Sequence, residues 1–229
     1  MTFWVLQSKT AKNNVVKLEL KIPLFSGIFL YLWYNANIQK ELNMTKKPEM
    51  IVFMGGQGSG KGTFANLLLK QHKYNYVEAG AILRNMPTDS EIYKKITRGE
   101  LLADDDLFPI IAKHMNTDND LILDGYPRTI GQAKWLIKNY ATIFDIKIIY
   151  LNINEETMFA NIQKRIKEGG NRLDDNDETA VQKRIAAFKS TTMPAIQWLS
   201  QQPNITFYDI KLPGDDIDIN FNYILKQIM

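Results

Sequence analysis

Cysteine is absent from the 229 residues, and histidine occurs only as His72 and His114. The first absence excludes disulfide staples, thiolate zinc or iron–sulfur sites and a cysteine nucleophile; the second excludes a histidine-rich metal site. Long apolar runs are also missing: the longest, at 22–34, is broken by Ser26 and Gly27 and falls short of the roughly 20 residues a membrane span needs. There is no general excess of positive charge either. The net +3 lies in residues 1–43, where Lys9, Lys12, Lys17, Lys21 and Lys40 face only Glu19 and Glu41. Without those seven, the chain's 28 basic and 25 acidic side chains leave 23 of each sign. A basic nucleic-acid face is therefore not expected. With 45% hydrophobic and 23% charged residues, a sizeable core is available and wholesale disorder is excluded.

Residues 1–43 differ in kind from the rest. Lys17 and Lys21 flank the apolar run as in a signal peptide, but the following Tyr34-Asn35-Ala36-Asn37 lacks the small-x-small cleavage pattern. Two readings stay open: a membrane-contacting interfacial anchor, or a non-native appendage or overlong start, since Met44 precedes a polar stretch and then a strand. One folded domain is expected over 44–229.

From Pro48 onward, short apolar runs alternate with helical periods, the pattern of a parallel sheet with crossover helices. Residues 50–54 (MIVFM) form a continuous apolar run, as expected of a strand buried on both faces. Further strands are expected at 76–78, 121–123, 147–153 and 205–208. Helices are expected after residue 60 and over 90–99, 130–140, 155–167, 177–199 and 216–229. Thr88-x-x-Glu91 resembles a capping box at the second of these, and Pro194 is expected to break the fifth.

Gly55-Gly56-Gln57-Gly58-Ser59-Gly60-Lys61 fits GxxxxGK between the first strand and a helix, the context a phosphate-binding loop requires. Glycines let consecutive N–H groups converge as an anion nest, the helix N-terminus adds positive potential, and Lys61 neutralises phosphate oxygens. Gly62 stands where the strict pattern has a magnesium-ligating hydroxyl, and Thr63 follows. Further on, Leu121-Ile122-Leu123-Asp124-Gly125-Tyr126-Pro127-Arg128, then Gln132, forms a second fingerprint. Together with Gly60-Lys61-Gly62-Thr63, it resembles the signature of adenylate kinases and related nucleoside monophosphate kinases.

The resemblance runs from about residue 50 to the C-terminus. It implies a P-loop three-layer α/β/α fold with a five-stranded parallel sheet, an acceptor-binding insert at about 79–108 and a short lid at about 165–175. Without a cysteine quartet, a zinc-bearing lid is excluded. Gly56, Gly58, Ser59, Gly60, Lys61, Gly62 and Thr63 would bind ATP. Gly80, Arg84, Leu102, Gly125, Arg128 and Gln132 would bind the acceptor monophosphate. Arg165, Arg172 and Arg184, with Lys61 and Arg128, would surround the transferring phosphoryl group, because arginine forks bind phosphate bidentately and stay charged. Asp174 and Asp175 would support the lid, and Asp124 would reach magnesium through water. Gln132, a donor and acceptor at one side chain, favours adenine, and so AMP.

Three departures stand out. Ala79-Gly80-Ala81 replaces the family's Thr-Gly-Asp. Asn161 stands where an arginine usually packs on the donor base. One extra residue separates Arg172 from Arg184. These touch base recognition and metal support, so CMP, UMP or a deoxynucleotide remains an alternative acceptor, and a nucleotide-binding protein with vestigial activity is the alternative of another class. A cytoplasmic monomer is expected, with membrane contact only if residues 1–43 are native.

Overall fold

The computed structural model describes residues 47–97, 102–168 and 178–228. Expectations for residues 1–43, and those for Arg172, Asp174 and Asp175, lie outside them. From residue 47 onward the chain forms one compact unit, Lys47–Met229.

Strand β1 (Glu49–Gly55) is apolar on both alternating sides, and Met50, Ile51, Val52, Phe53 and Met54 are all buried. A strand buried on both faces needs a neighbour on each edge and helices above and below. β1 has these, at the centre of a five-stranded sheet of order β2-β3-β1-β4-β5. All four pairings are parallel: β2 (Asn75–Glu78) with β3 (Leu121–Asp124), β3 with β1, β1 with β4 (Asp145–Leu151), and β4 with β5 (Thr206–Ile210). The expected parallel α/β architecture is therefore present. The fourth strand stops at Leu151, because Asn154 caps the next helix by accepting the Thr157 N–H at 2.8 Å. β5 runs on to Ile210, in register with Leu151.

Helices cover the two faces. α1 (Lys61–Gln71) and the C-terminal helix, α9 (Ile217–Ile228), pack Phe64, Leu68, Phe221 and Ile224 with Ile51, Phe53 and Ile149. On the other face α5 (Ile130–Tyr140) and α8 (Met193–Leu199) bury Ala133, Leu136, Ala195, Ile196 and Leu199 against Met50, Val52, Ile146 and Ile148. A third, smaller cluster joins α6 (Glu155–Lys167) to α7 (Glu178–Ala187) through Met158, Ile162, Val181 and Ile185.

Between β2 and β3 lie α2 (Ala79–Arg84), α3 (Glu91–Thr97) and α4 (Asp104–Ala112). Three features differ from expectation. α3 is capped by Ser90, whose hydroxyl accepts the Tyr93 N–H at 3.1 Å, so the Thr88 box is not what starts it. α4 was not expected; its first turn holds Asp104, Asp105 and Asp106, which favour a helix N-terminus, and Pro109 lies inside it. The irregularity in the long helix is a π-helical turn at Phe188–Thr192, and Pro194 opens α8 instead of ending what precedes it. The helical run continues through the turn, since the Met193 N–H donates to the Phe188 carbonyl, and Pro194, which has no N–H to place, follows directly. Among the described residues, no helix is long and apolar enough to cross a membrane.

Candidate active site

At the carboxyl ends of β1 and β3, two loops meet near the point where strand order reverses, the usual ligand crevice of an open α/β sheet. The loop after β1 carries Gly56, Gly58, Ser59 and Gly60 into α1, so Lys61, Gly62 and Thr63 form the first turn of that helix. Gly60 is the N-cap, at φ 87, and a Cβ there would come within 2.9 Å of the Phe64 ring. Both the left-handed backbone and the close aromatic require glycine. No acidic residue occupies the first turn of α1, which leaves its positive end for an anion.

Lys61 folds back over the loop. Its Nζ donates to the carbonyls of Gly55 at 2.9 Å and Gly56 at 2.7 Å, and to Ser59 Oγ at 3.3 Å. Across from it, Asp124 ends β3 and is 6% exposed. The Tyr76 hydroxyl donates to Asp124 Oδ2 at 3.1 Å. Burial pushes the Asp124 carboxyl above its ordinary value; Lys61, the Tyr76 hydrogen bond and Arg128 pull it down, Glu78 pushes it up, and the net shift is upward. Glu78 is its direct cross-strand partner, so two carboxylates end adjacent strands on one face.

A Cβ on Gly62 would lie 3.6 Å from Asp124 Oδ2. That approach brings the carboxylate to the slot where the strict loop pattern has a hydroxyl. Among the described residues no group of three or more His, Cys, Asp or Glu could hold a metal by itself. One buried carboxylate facing a phosphate loop fits magnesium, a hard ion that keeps several waters and is usually shared with substrate phosphates.

The acceptor-side residues divide between two segments. After β3, Gly125 takes φ 76, and a Cβ there would stand 3.4 Å from Arg128 Nη2. The Arg128 Nε–H donates to the Gly125 carbonyl at 2.9 Å, and its backbone N–H to Gln132 Oε1 at 2.7 Å. Gln132 is buried and gives its amide N–H to Asp104 Oδ1 at 2.9 Å. Thr129 caps α5 by accepting the Gln132 backbone N–H, and its hydroxyl donates to Asp104 at 2.9 Å. Asp104 thus ties the start of α4 to the start of α5, and Leu102, just before it, packs on the main core. Gln132 retains one amide hydrogen and one carbonyl lone pair beyond these bonds.

Arg84 ends α2 and pairs with Glu78 through Nη2 at 2.8 Å. Gly80 lies under it, since a Cβ there would meet Arg84 Nη1 at 2.9 Å. Ala81 borders an open cleft of about 490 Å³, also lined by Tyr76, Glu78, Asn85 and His114.

Arg165 lies in the last turn of α6 and Arg184 on α7, each next to the Met158, Ile162, Val181 and Ile185 cluster in sequence. The sequence does not mark Glu78 or Tyr76 as site residues, and although 99–104 resembles the segment lining the acceptor base, the tie that Asp104 makes to Thr129 and Gln132 is not legible there. Glu78 and Tyr76 are visible only once β2 is in register with β3, and Asp104 only once α4 meets α5.

A family model described as adenylate kinase matches residues 53–204. Adenylate kinase 1 of Schistosoma mansoni is 30% identical over 190 residues, covering 79% of this chain and 94% of that protein. Adenylate kinase of Bacteroides thetaiotaomicron is 33% identical over 162 residues, covering 66% and 85%. Adenylate kinase of Prochlorococcus marinus is 32% identical over 167 residues, covering 69% and 88%. With its glycine loop, buried Asp124 and parallel sheet of matching design, the chain belongs to the adenylate kinase family, enzymes of phosphoryl transfer.

Proposed function

We propose that this domain passes the γ-phosphoryl group of ATP to AMP to give two ADP, as a cytoplasmic monomer working with magnesium. The observation that carries the reading is the meeting of two anion-binding loops at adjacent strand ends: the glycine loop with Lys61 after β1, and Gly125 to Arg128 after β3. Direct phosphoryl transfer forms no covalent enzyme intermediate. It needs both anions aligned, charge neutralised along the transferring group, and water excluded.

Gly56, Gly58, Ser59, Gly60, Lys61, Gly62 and Thr63 hold the donor phosphates. Arg84 and Arg128 clamp the acceptor phosphate, with Gly80, Leu102, Gly125 and Gln132 shaping its site. The free donor and acceptor positions of the Gln132 amide suit an adenine edge. Asp124 holds magnesium-bound water; the ion, when bound, screens phosphate charge and polarises the transferring group. Arg165, Arg172 and Arg184 neutralise that group, and the 165–175 lid, supported by Asp174 and Asp175, closes over it.

Residues 1–43 stand as an extension to the 44–229 kinase domain, and 79–108 as its acceptor insert. A coupled assay for ADP from ATP plus AMP tests the reading, and no product at any magnesium level overturns it. Ala79 and Ala81 favour a second reading in which the acceptor is CMP, UMP or a deoxynucleotide. Ranking acceptors by kcat/KM separates the two, and a light-scattering mass in solution checks the monomer.

A further inference from the structure

The phosphate loop is seated on one face of α6. A Cβ on Gly58 would come within 2.6 Å of the Met158 carbonyl, 3.3 Å of Ile162 Cγ1 and 3.4 Å of Asn161 Cβ, and one on Gly56 would run into the Met158 thioether. Met158, Asn161 and Ile162 are three and four residues apart, so they share that face. Met158 and Ile162 are buried, whereas Asn161 is exposed and donates its Nδ2–H to the Gly58 carbonyl at 2.8 Å. The contact is made to the loop's carbonyl and leaves its N–H groups alone. Because a trans peptide is planar, holding the Gly58 carbonyl also fixes the Ser59 N–H on the opposite side, where it donates to the Gly56 carbonyl at 3.3 Å. Turning that peptide over rotates Gly58 ψ and Ser59 φ, and with no Cβ at Gly58, where φ is +77, that side of the rotation meets little steric resistance. A flipped peptide would turn a carbonyl dipole into the space where the N–H groups gather around an anion.

We propose that Asn161 is a positioning residue for the donor phosphates: its amide holds the Gly58 carbonyl outward against α6 and so keeps that carbonyl out of the space the anion would occupy, whatever base the donor carries. The inference rests on the donor-site reading above and is independent of the acceptor. Its signature is indifference to the base, because the hydrogen bond acts on the loop and not on the nucleoside. Full-length protein, with Asn161→Ala and Asn161→Asp beside wild type, is titrated calorimetrically with magnesium plus ATP, GTP or inorganic tripolyphosphate. Asn161→Ala is expected to weaken all three by a common factor of about three- to tenfold, the size of one neutral hydrogen bond. Asn161→Asp, which sets a carboxylate against the carbonyl and nearby phosphates, is expected to weaken them further. The KM for ATP rises by the same factor and the acceptor KM is unchanged, while the melting temperature reports any structural loss. Weakened ATP binding with unchanged tripolyphosphate binding overturns the inference, since the side chain then acts on the base. Unchanged binding of all three overturns it as well. A wild-type protein that binds none of them removes the donor-site reading and the inference together, so the two failures are distinguishable.

Discussion

The two ends of the sheet compensate charge to different degrees. At the amino end, Glu49 receives the Tyr74 hydroxyl at 2.6 Å and Lys147 at 2.5 Å, Lys147 also donates to the Ile228 carbonyl at 2.8 Å, and the Glu49 N–H is taken by Asp120 at 2.7 Å. Opposite charges and donors are matched within the protein, and β1, β4 and the C-terminal helix are tied together. At the carboxyl end, Glu78 is paired with Arg84, but its strand neighbour Asp124 is buried, with its carboxyl held above its ordinary value despite Lys61, Arg128 and the Tyr76 hydroxyl. On the proposed function, this is the end where phosphate and magnesium would meet those charges. If the amino end serves stability and the carboxyl end the proposed binding site, substitutions should separate the two.

The largest effect is expected at Lys61. Lys61→Met should lower kcat by at least about 10²-fold, the usual cost of losing a charge-stabilising donor, with an unchanged melting temperature. A variant keeping more than about a tenth of the wild-type rate would contradict its role. Asp124→Asn comes next: kcat falls by about tenfold or more, while the ligand-free protein melts higher because a poorly compensated buried charge is gone. A lower melting temperature would mean that this end is built for stability after all.

At the other end, Glu49→Ala should destabilise by about 1–3 kcal/mol, because it strands the partly buried Lys147 and Tyr74, with kcat intact. The pH dependence follows from Lys147. Burial pulls its pKa down, but the hydrogen bond and charge of Glu49, aided by Tyr208 and Asp145, outweigh burial and leave it above 10.5. A cation with a raised folded pKa contributes its stability below the unfolded value and loses it as pH rises through the folded one. The stability gap between wild type and Lys147→Met, measured by denaturant titration, should therefore be constant from neutral pH to about pH 9.5 and shrink above pH 10.5. The smallest effect is expected at Thr129, where Ala removes the α5 cap at a cost of about 1 kcal/mol and loosens Asp104 and Gln132. The acceptor KM should rise more than the donor KM.

What the sequence revealed, and what it concealed, follow this same division by range. The glycine loop and β1 are legible because each is a local pattern: an apolar run followed by glycines at positions that demand positive φ. Asp124, Arg128 and Gln132 are legible because they fall within nine residues of one another in a fingerprint. The Glu78–Arg84 pair, the hook from Asn161 to Gly58, and the Asp104 tie between α4 and α5 depend on register and packing across distant segments. No local spacing encodes them. α4 was hidden because three consecutive aspartates and an internal proline look like a break, yet carboxylates suit a helix start.

The π-helical turn at Phe188–Thr192 sets an angle. One additional residue in a helix advances everything before it by about 100° relative to everything after it. Upstream of the turn, Val181 and Ile185 face α6; downstream, Ala195, Ile196 and Leu199 face the sheet; Phe188, in the turn itself, touches both clusters. The turn therefore works as a phase shifter that lets one helical run serve two cores. It also sets the azimuth of Arg184 relative to the sheet, so removing a single residue from 188–192 would straighten the helix and swing that guanidinium about a quarter of the way around its axis.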